Sequence, residues 1–289
     1  MKSALSIALR VLALTVILFI CFSLAGVLFG PRTASAEEQA GAFGTLLAVC
    51  FIQSAILSHI ILRSRWAGWK LFAAIAVVFY GVSTLMPQME SAVFIKRLPA
   101  GTLPRLFLMG AIIAVPFSAL AVLVLGKRKH RDVASERTER LVMPINEWVW
   151  KLALIALVYV ILYFTFGYFI AWRVPAVREY YGGGDAGGFF NNMRSVLRDT
   201  PGLIPFQALR GLLWALLALP IVRMMRGRWQ ETALALGLLF GVLMTAPLLL
   251  PNPFMPEAVR LTHLIETASS TFIFGFFAGW LLARPAVAR

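Results

Sequence analysis

Eight runs of about twenty mostly apolar residues, separated by short polar connections, leave this chain few ways to fold. They lie at roughly residues 8–29, 42–62, 71–94, 103–125, 148–171, 204–222, 232–250 and 258–282. At about 1.5 Å of rise per residue, each is long enough as a helix to cross the ~30 Å hydrocarbon core of a bilayer. Hydrocarbon offers no water to unpaired backbone groups, so a spanning segment is either a helix or a strand of a closed barrel. Continuous apolarity over twenty residues excludes the in–out alternation of a barrel. The expected fold is an all-α, polytopic transmembrane bundle of about eight spans. Composition agrees: the 289 residues are 60% hydrophobic and only 14% charged, whereas soluble domains carry about a quarter charged residues.

The net charge of +14 does not point to nucleic acid, because the basic residues gather in short connections where they meet lipid headgroups. One side carries Lys2 and Arg10, then Arg63, Arg65 and Lys70, then Lys127, Arg128, Lys129, Arg131, Arg137 and Arg140, then Arg223, Arg226 and Arg228, and finally Arg284 and Arg289. The other side includes Glu37, Glu38, Glu179, Asp185, Asp199 and Glu257, although its stretch from Arg173 to Arg198 is also basic. The positive-inside rule then places both termini in the cytoplasm of a multi-pass cell-membrane protein, expected in a bacterial inner membrane. The first apolar run precedes Ala34-Ser35-Ala36, which resembles a secretory cleavage site. That run is longer than the usual signal core, so it is expected to stay as the first span.

The chain also repeats itself. A shift of 160 residues aligns the second and third spans with the sixth and seventh, bringing Arg63 onto Arg223, Trp69 onto Trp229, Gly81-Val82 onto Gly241-Val242 and Pro87 onto Pro247. The shared order of turn, tryptophan and late proline predicts two four-helix repeats, residues 1–126 and 145–289, joined by a basic cytoplasmic linker at 127–144. Four spans per repeat, an even number, make the repeats parallel, related by an axis along the membrane normal. An insertion at about 173–203 breaks the symmetry on the outer face. It holds the glycine-rich stretch Gly182–Gly188 and then an amphipathic segment with Phe189, Phe190, Met193, Val196 and Leu197 on one side. That segment is expected either to lie in the interface plane or to pack over the bundle mouth.

Ionisable residues within hydrocarbon cost at least ~2.5–3.5 kcal/mol on insertion scales, and so point to function. Five fall at a similar depth in the outer half: Glu90, Arg210, Arg260, His263 and Glu266. The last three share one helix face by their three-residue spacing. Glu90 follows Pro87, which is expected to kink or end the third span. Two arginines suit an anionic group, and the histidine and glutamate suit proton exchange. The plainer expectation is an ion-pair network that locks the repeats together.

Much chemistry is excluded. Cys21 and Cys50 sit inside apolar runs without metal-type spacing, and the three histidines lie at different depths, so neither a zinc site nor a haem is expected. No metal and no cofactor are expected. A mixed site from Glu90, His263 and Glu266 is disfavoured by the nearby arginines. Motifs of soluble hydrolases and ATPases are missing, so an enzyme is the lesser expectation. Transport or translocation of a small solute, proton or lipid ranks first. A membrane-embedded enzyme acting on an anionic or lipid-linked substrate comes second. A non-catalytic sensor or assembly subunit comes third, with Gly275 and Gly279 offering a small-residue face to a protein partner or a second copy.

Overall fold

The computed structural model describes residues 2–29, 36–95, 98–129, 140–185, 187–252 and 254–284, and places eight helices that are long and apolar enough to cross a membrane. These are Ala4–Phe29, Ala42–Leu62, Gly68–Phe94, Thr102–Val124, Ile145–Ala171, Leu203–Met224, Trp229–Leu249 and Glu257–Ala283, numbered here as the first to eighth spans. No strand occurs among the described residues. Ala34 and Ser35, His130, Arg131, Arg137 and Arg289 lie outside the described residues, as do the side chains of Lys2, Glu37 and Glu38.

The spans pack in a definite pattern. The first lies against the second and fourth, and the third against the fourth; the fifth lies against the sixth and eighth, and the seventh against the eighth. The two groups meet where the second span touches the seventh and the third touches the sixth. Between them runs one continuous core containing Phe79, Phe117, Trp214, Phe240 and Phe274, all fully buried.

Lipid tails are as apolar as leucine, so dispersion and close backbone approach hold such helices together more than exclusion from water does. Gly275 and Gly279 provide that approach. A Cβ built on Gly275 meets the Leu236 carbonyl oxygen at 2.5 Å, and one on Gly279 meets the Ala233 Cα at 2.6 Å. The small-residue face is therefore spent inside the chain, between the seventh and eighth spans.

At the basic face the two short connections after the second and sixth spans run antiparallel. Ser64 bridges Met225, with the Arg65 amide donating to the Met224 carbonyl at 2.8 Å and the Arg226 amide to the Arg63 carbonyl at 2.9 Å. Two linker residues clamp these turns. Lys127 Nζ donates to the Ser64 carbonyl at 2.7 Å, while Arg140 reaches the Met225 carbonyl and the Thr232 hydroxyl, both at 3.0 Å. Burial, together with the charge of Arg226, pulls the Lys127 ammonium below its ordinary range.

The connection between the fifth and sixth spans forms two helices, Pro175–Tyr181 and Phe189–Asp199. The first was not foreseen from sequence. The second has no buried residue; Phe189 stacks on the lipid-facing Phe169 at 5.5 Å, and Phe190 stands exposed.

Replacing Gly279 by valine drives two methyl groups into the seventh span. The expected cost is about 1–3 kcal/mol, read as a lower thermal midpoint in detergent, whereas Phe190→Ala leaves the midpoint unchanged.

Candidate functional site

Placement of Glu90 begins with the backbone of the third span. Pro87 carries no N–H, yet the helix neither ends nor breaks there. A π-helical turn, Gly81–Leu85, precedes it and regular helix resumes over Met86–Phe94, so of the expected kink or end the structure shows no end at Pro87. One extra residue in a π turn rotates everything beyond it by about 100° around the axis, which sets the direction in which Glu90 projects. Ser83 Oγ donates to the Phe79 carbonyl at 2.6 Å within this widened turn.

Glu90 meets Arg210 of the sixth span. The guanidinium Nη1 donates to Glu90 Oε1 at 2.5 Å and to Gln207 Oε1 at 2.9 Å, and Nη2 to the Met86 carbonyl at 3.4 Å. Its flat face lies over the rings of Tyr159 and Phe206, 5.6 and 5.9 Å from their centroids. Arg210 is 2% exposed, so this charge is compensated almost wholly by Glu90. An arginine keeps its proton at any ordinary pH, so the positive member of the pair is fixed.

On the eighth span, His263 Nδ1 lies 3.3 Å from Glu266 Oε2, and Thr267 Oγ1 donates to the same oxygen at 2.8 Å. The other ring nitrogen, Nε2, lies 3.0 Å from the Tyr181 hydroxyl. Tyr181 is held there by its short helix. Val177 packs with Val259 and Ala171, the Tyr180 hydroxyl donates to the Phe254 carbonyl at 2.6 Å, and Arg178 donates to the Trp172 carbonyl at 2.7 Å.

This second pair differs in kind from the first. With Glu266 ionised and His263 neutral, the carboxylate oxygen only accepts, so Nδ1 carries the ring proton and Tyr181 donates to Nε2. With Glu266 protonated, every bond in the chain reverses: the acid donates to Nδ1 and Nε2–H donates to the phenol oxygen. Both arrangements satisfy the same three groups, so a proton can be held or released without breaking the chain.

The two pairs belong to one site. Tyr159 and Tyr163, one turn apart on the fifth span, each lie within electrostatic reach of Glu90, Arg210 and Glu266. Burial first, and then the negative charges of Glu90 and Glu266, push the Tyr181 phenol above the ordinary tyrosine range. Four of the five residues singled out from sequence therefore converge.

Arg260 does not join them. Its Nη1 donates to the Leu248 carbonyl and its Nη2 stands 3.9 Å from Glu257. Leu248 lies in the 3-10 turn Ala246–Leu249 that ends the seventh span, where carbonyls lack helical partners, so Arg260 caps a helix end. Among the described residues no three histidine, cysteine or acidic side chains gather as a metal set.

Sequence reading missed Tyr159, Tyr163, Tyr181, Gln207 and Thr267. Two signals were available: paired tyrosines four residues apart in an otherwise apolar span, and Gln207 one turn before Arg210. Two shallow hollows of about 380 and 310 Å³, one lined by Leu5, Leu9 and Arg10 and the other by Trp69, Phe72 and Arg128, lie away from this cluster.

The phenol of Tyr181 is expected to stay neutral, and hence a donor, through the pH range in which free tyrosine ionises at about 10. An ultraviolet difference titration of wild type against Tyr181→Phe checks this: the missing transition falls above that range. A transition at the ordinary value contradicts the burial described. No family model, no curated protein and no solved structure matches the chain.

Proposed function

We propose that this membrane protein moves a small solute, lipid or proton through the polar cluster, with His263 and Glu266 exchanging protons and Arg210–Glu90 serving as a fixed counter-charge. One observation carries this reading: the Arg210–Glu90 ion pair and the His263–Glu266 pair, both partly buried, lie within electrostatic reach of the same tyrosines. Structural ion pairs need no titratable member. An intramembrane carboxylate paired to histidine, in contrast, belongs to proton relays.

The parallel 4+4 repeat supports the reading. Exchanging spans one to four with five to eight maps the packing pattern onto itself: first–second on fifth–sixth, first–fourth on fifth–eighth, third–fourth on seventh–eighth, and second–seventh on sixth–third. The π-helical segments Gly81–Leu85 and Leu238–Leu243 share Gly81 and Gly241 under the 160-residue shift, and they touch. The antiparallel connections pair 64 with 225 and 65 with 224, which is the register a two-fold axis along the membrane normal requires of residues 64–65 and 224–225. Carriers built from repeats place their sites at the repeat interface, and Arg210–Glu90 joins the two halves there. We place the basic connections and both termini in the cytoplasm, which puts the cluster in the outer half of the membrane.

A second reading has its own support. His263 stands between a carboxylate and a hydroxyl, an arrangement suited to a general base in an enzyme acting at the outer leaflet. The assembly-subunit reading loses its named surface, since Gly275 and Gly279 are occupied within the chain.

Reconstituted vesicles separate these readings. Under an imposed pH gradient, wild-type vesicles containing a pH-sensitive dye are expected to discharge faster than empty ones, and Glu266→Gln to abolish the difference. Discharge unaffected by Glu266→Gln and His263→Ala, or no discharge at all, rules out proton exchange as the cluster's role in transport.

A further inference from the structure

The face of the sixth span that carries Arg210 is short of acceptors. Gln207, Arg210 and Trp214 follow one another at three- and four-residue spacing, on successive turns of one helix face, and are 0, 2 and 0% exposed. Gln207 uses its carbonyl for Arg210, which leaves its Nε2 without a partner. Arg210 uses both terminal nitrogens, and its Nε has none. Trp214 Nε1 is turned to the Tyr159 hydroxyl. Two buried donors on adjacent turns, Gln207 Nε2 and Arg210 Nε, are thus unmet in a place where bare donors are costly.

Donors alone, one of them on a guanidinium, match the oxygens of a carboxylate or phosphate. Charge then adds a condition. Glu90 already neutralises Arg210, so an arriving anion brings a net negative charge into a site that is out of water. The group able to offset it is the His263–Glu266 pair, by taking one proton.

Among the described residues, several elements surround that pair. The fifth span contributes Tyr159 and Tyr163, the third Glu90 and the sixth Arg210. The short helix contributes Tyr181, while its Arg178 and Tyr180 are engaged by backbone carbonyls and Glu179 is exposed. On the eighth span itself, Arg260 and Glu257 face each other one turn away. The only acid of the seventh span, Glu231, pairs with Arg63 at the basic face.

We propose that the cluster binds a carboxylate or phosphate group on Gln207 Nε2 and Arg210 Nε and takes up one proton on His263–Glu266 as it does so. This rests on the proton-exchange reading above and names its substrate class: an oxyanion, either a free solute or a lipid headgroup.

The test uses the full chain in nanodiscs, with inorganic phosphate as the soluble probe in phosphatidylcholine discs and phosphatidylglycerol discs as the lipid probe. Thermal midpoint and proton uptake in weak buffer are read at about pH 5.5 and about pH 8, either side of the histidine range. Phosphate is expected to stabilise the protein more at the acid pH, with about one proton taken up per phosphate bound, and Gln207→Met is expected to weaken binding roughly tenfold. If phosphate is silent and phosphatidylglycerol shows the same dependence on Gln207 and pH, the oxyanion is a lipid headgroup. Should Gln207→Met not fold, Gln207→Glu keeps the acceptor for Arg210 and repels the anion, and the same loss is expected. No response to either probe overturns the proposal, leaving water as the occupant; so does a response indifferent to Gln207, or binding without proton uptake. Glu266-dependent discharge of vesicles, together with no effect of either probe on thermal midpoint or proton uptake, sinks this inference and spares the proton-exchange reading. Failure of both experiments removes both.

Discussion

Hydrocarbon supplies no hydrogen bonds, and most of what is distinctive in this protein follows from that single constraint. At several places where the helices depart from regular geometry, a side chain from elsewhere repairs the loss. Pro247 has no N–H to give the Leu243 carbonyl, and Gln53 of the second span donates to it at 3.0 Å. Thr271 of the eighth span serves the Phe240 carbonyl in the same π-helical stretch at 2.9 Å. Arg260 closes the end of the seventh span, and Arg140 and Lys127 hold the turns of the basic face. These repairs cross from one span to another, so satisfying the backbone also fixes the arrangement of the helices.

The same constraint divides the charged residues by role. Arg210 and Glu90 neutralise each other, and neither can leave without stranding its partner, an outcome that costs several kcal/mol in buried pairs. The pair ties the third span to the sixth. His263 and Glu266 have the complementary property, since their hydrogen-bonded chain to Tyr181 is complete in either proton arrangement. A buried site with one fixed pair and one adjustable pair can admit charge and compensate it. A site with two fixed pairs can only hold the bundle together.

The eight spans were legible because twenty-residue apolarity is a local property with one structural solution. Their observed limits differ from the expected ones by at most four residues, the range in which helix ends are ambiguous anyway. The third span ends at Phe94 as expected, but the π-helical turn before Pro87 was not legible, because it depends on tertiary partners such as the neighbouring Gly81–Leu217 contact, and a local rule sees only the missing N–H. For the site, depth along each span pointed to Glu90 with Arg210 and to His263 with Glu266, which the structure places in two hydrogen-bonded pairs. It misjudged Arg260, whose spacing matches His263 and Glu266 but whose nearest acceptor is a backbone carbonyl, invisible to side-chain patterning. Tyr181 was out of reach for another reason: it arrives on a short helix whose path back over the bundle is set by packing of Val177 against Val259.

The central claim is that Glu266 gains and loses a proton within an otherwise fixed polar cluster. Infrared difference spectroscopy of the reconstituted protein over a pH series reads this directly, through the carbonyl stretch of a protonated carboxyl group. A band should appear on acidification that is absent in Glu266→Gln and altered by His263→Ala, while Glu90 contributes none as long as Arg210 is present. A carboxyl band that persists in Glu266→Gln and disappears in Glu90→Gln would contradict the assignment of fixed and exchanging pairs.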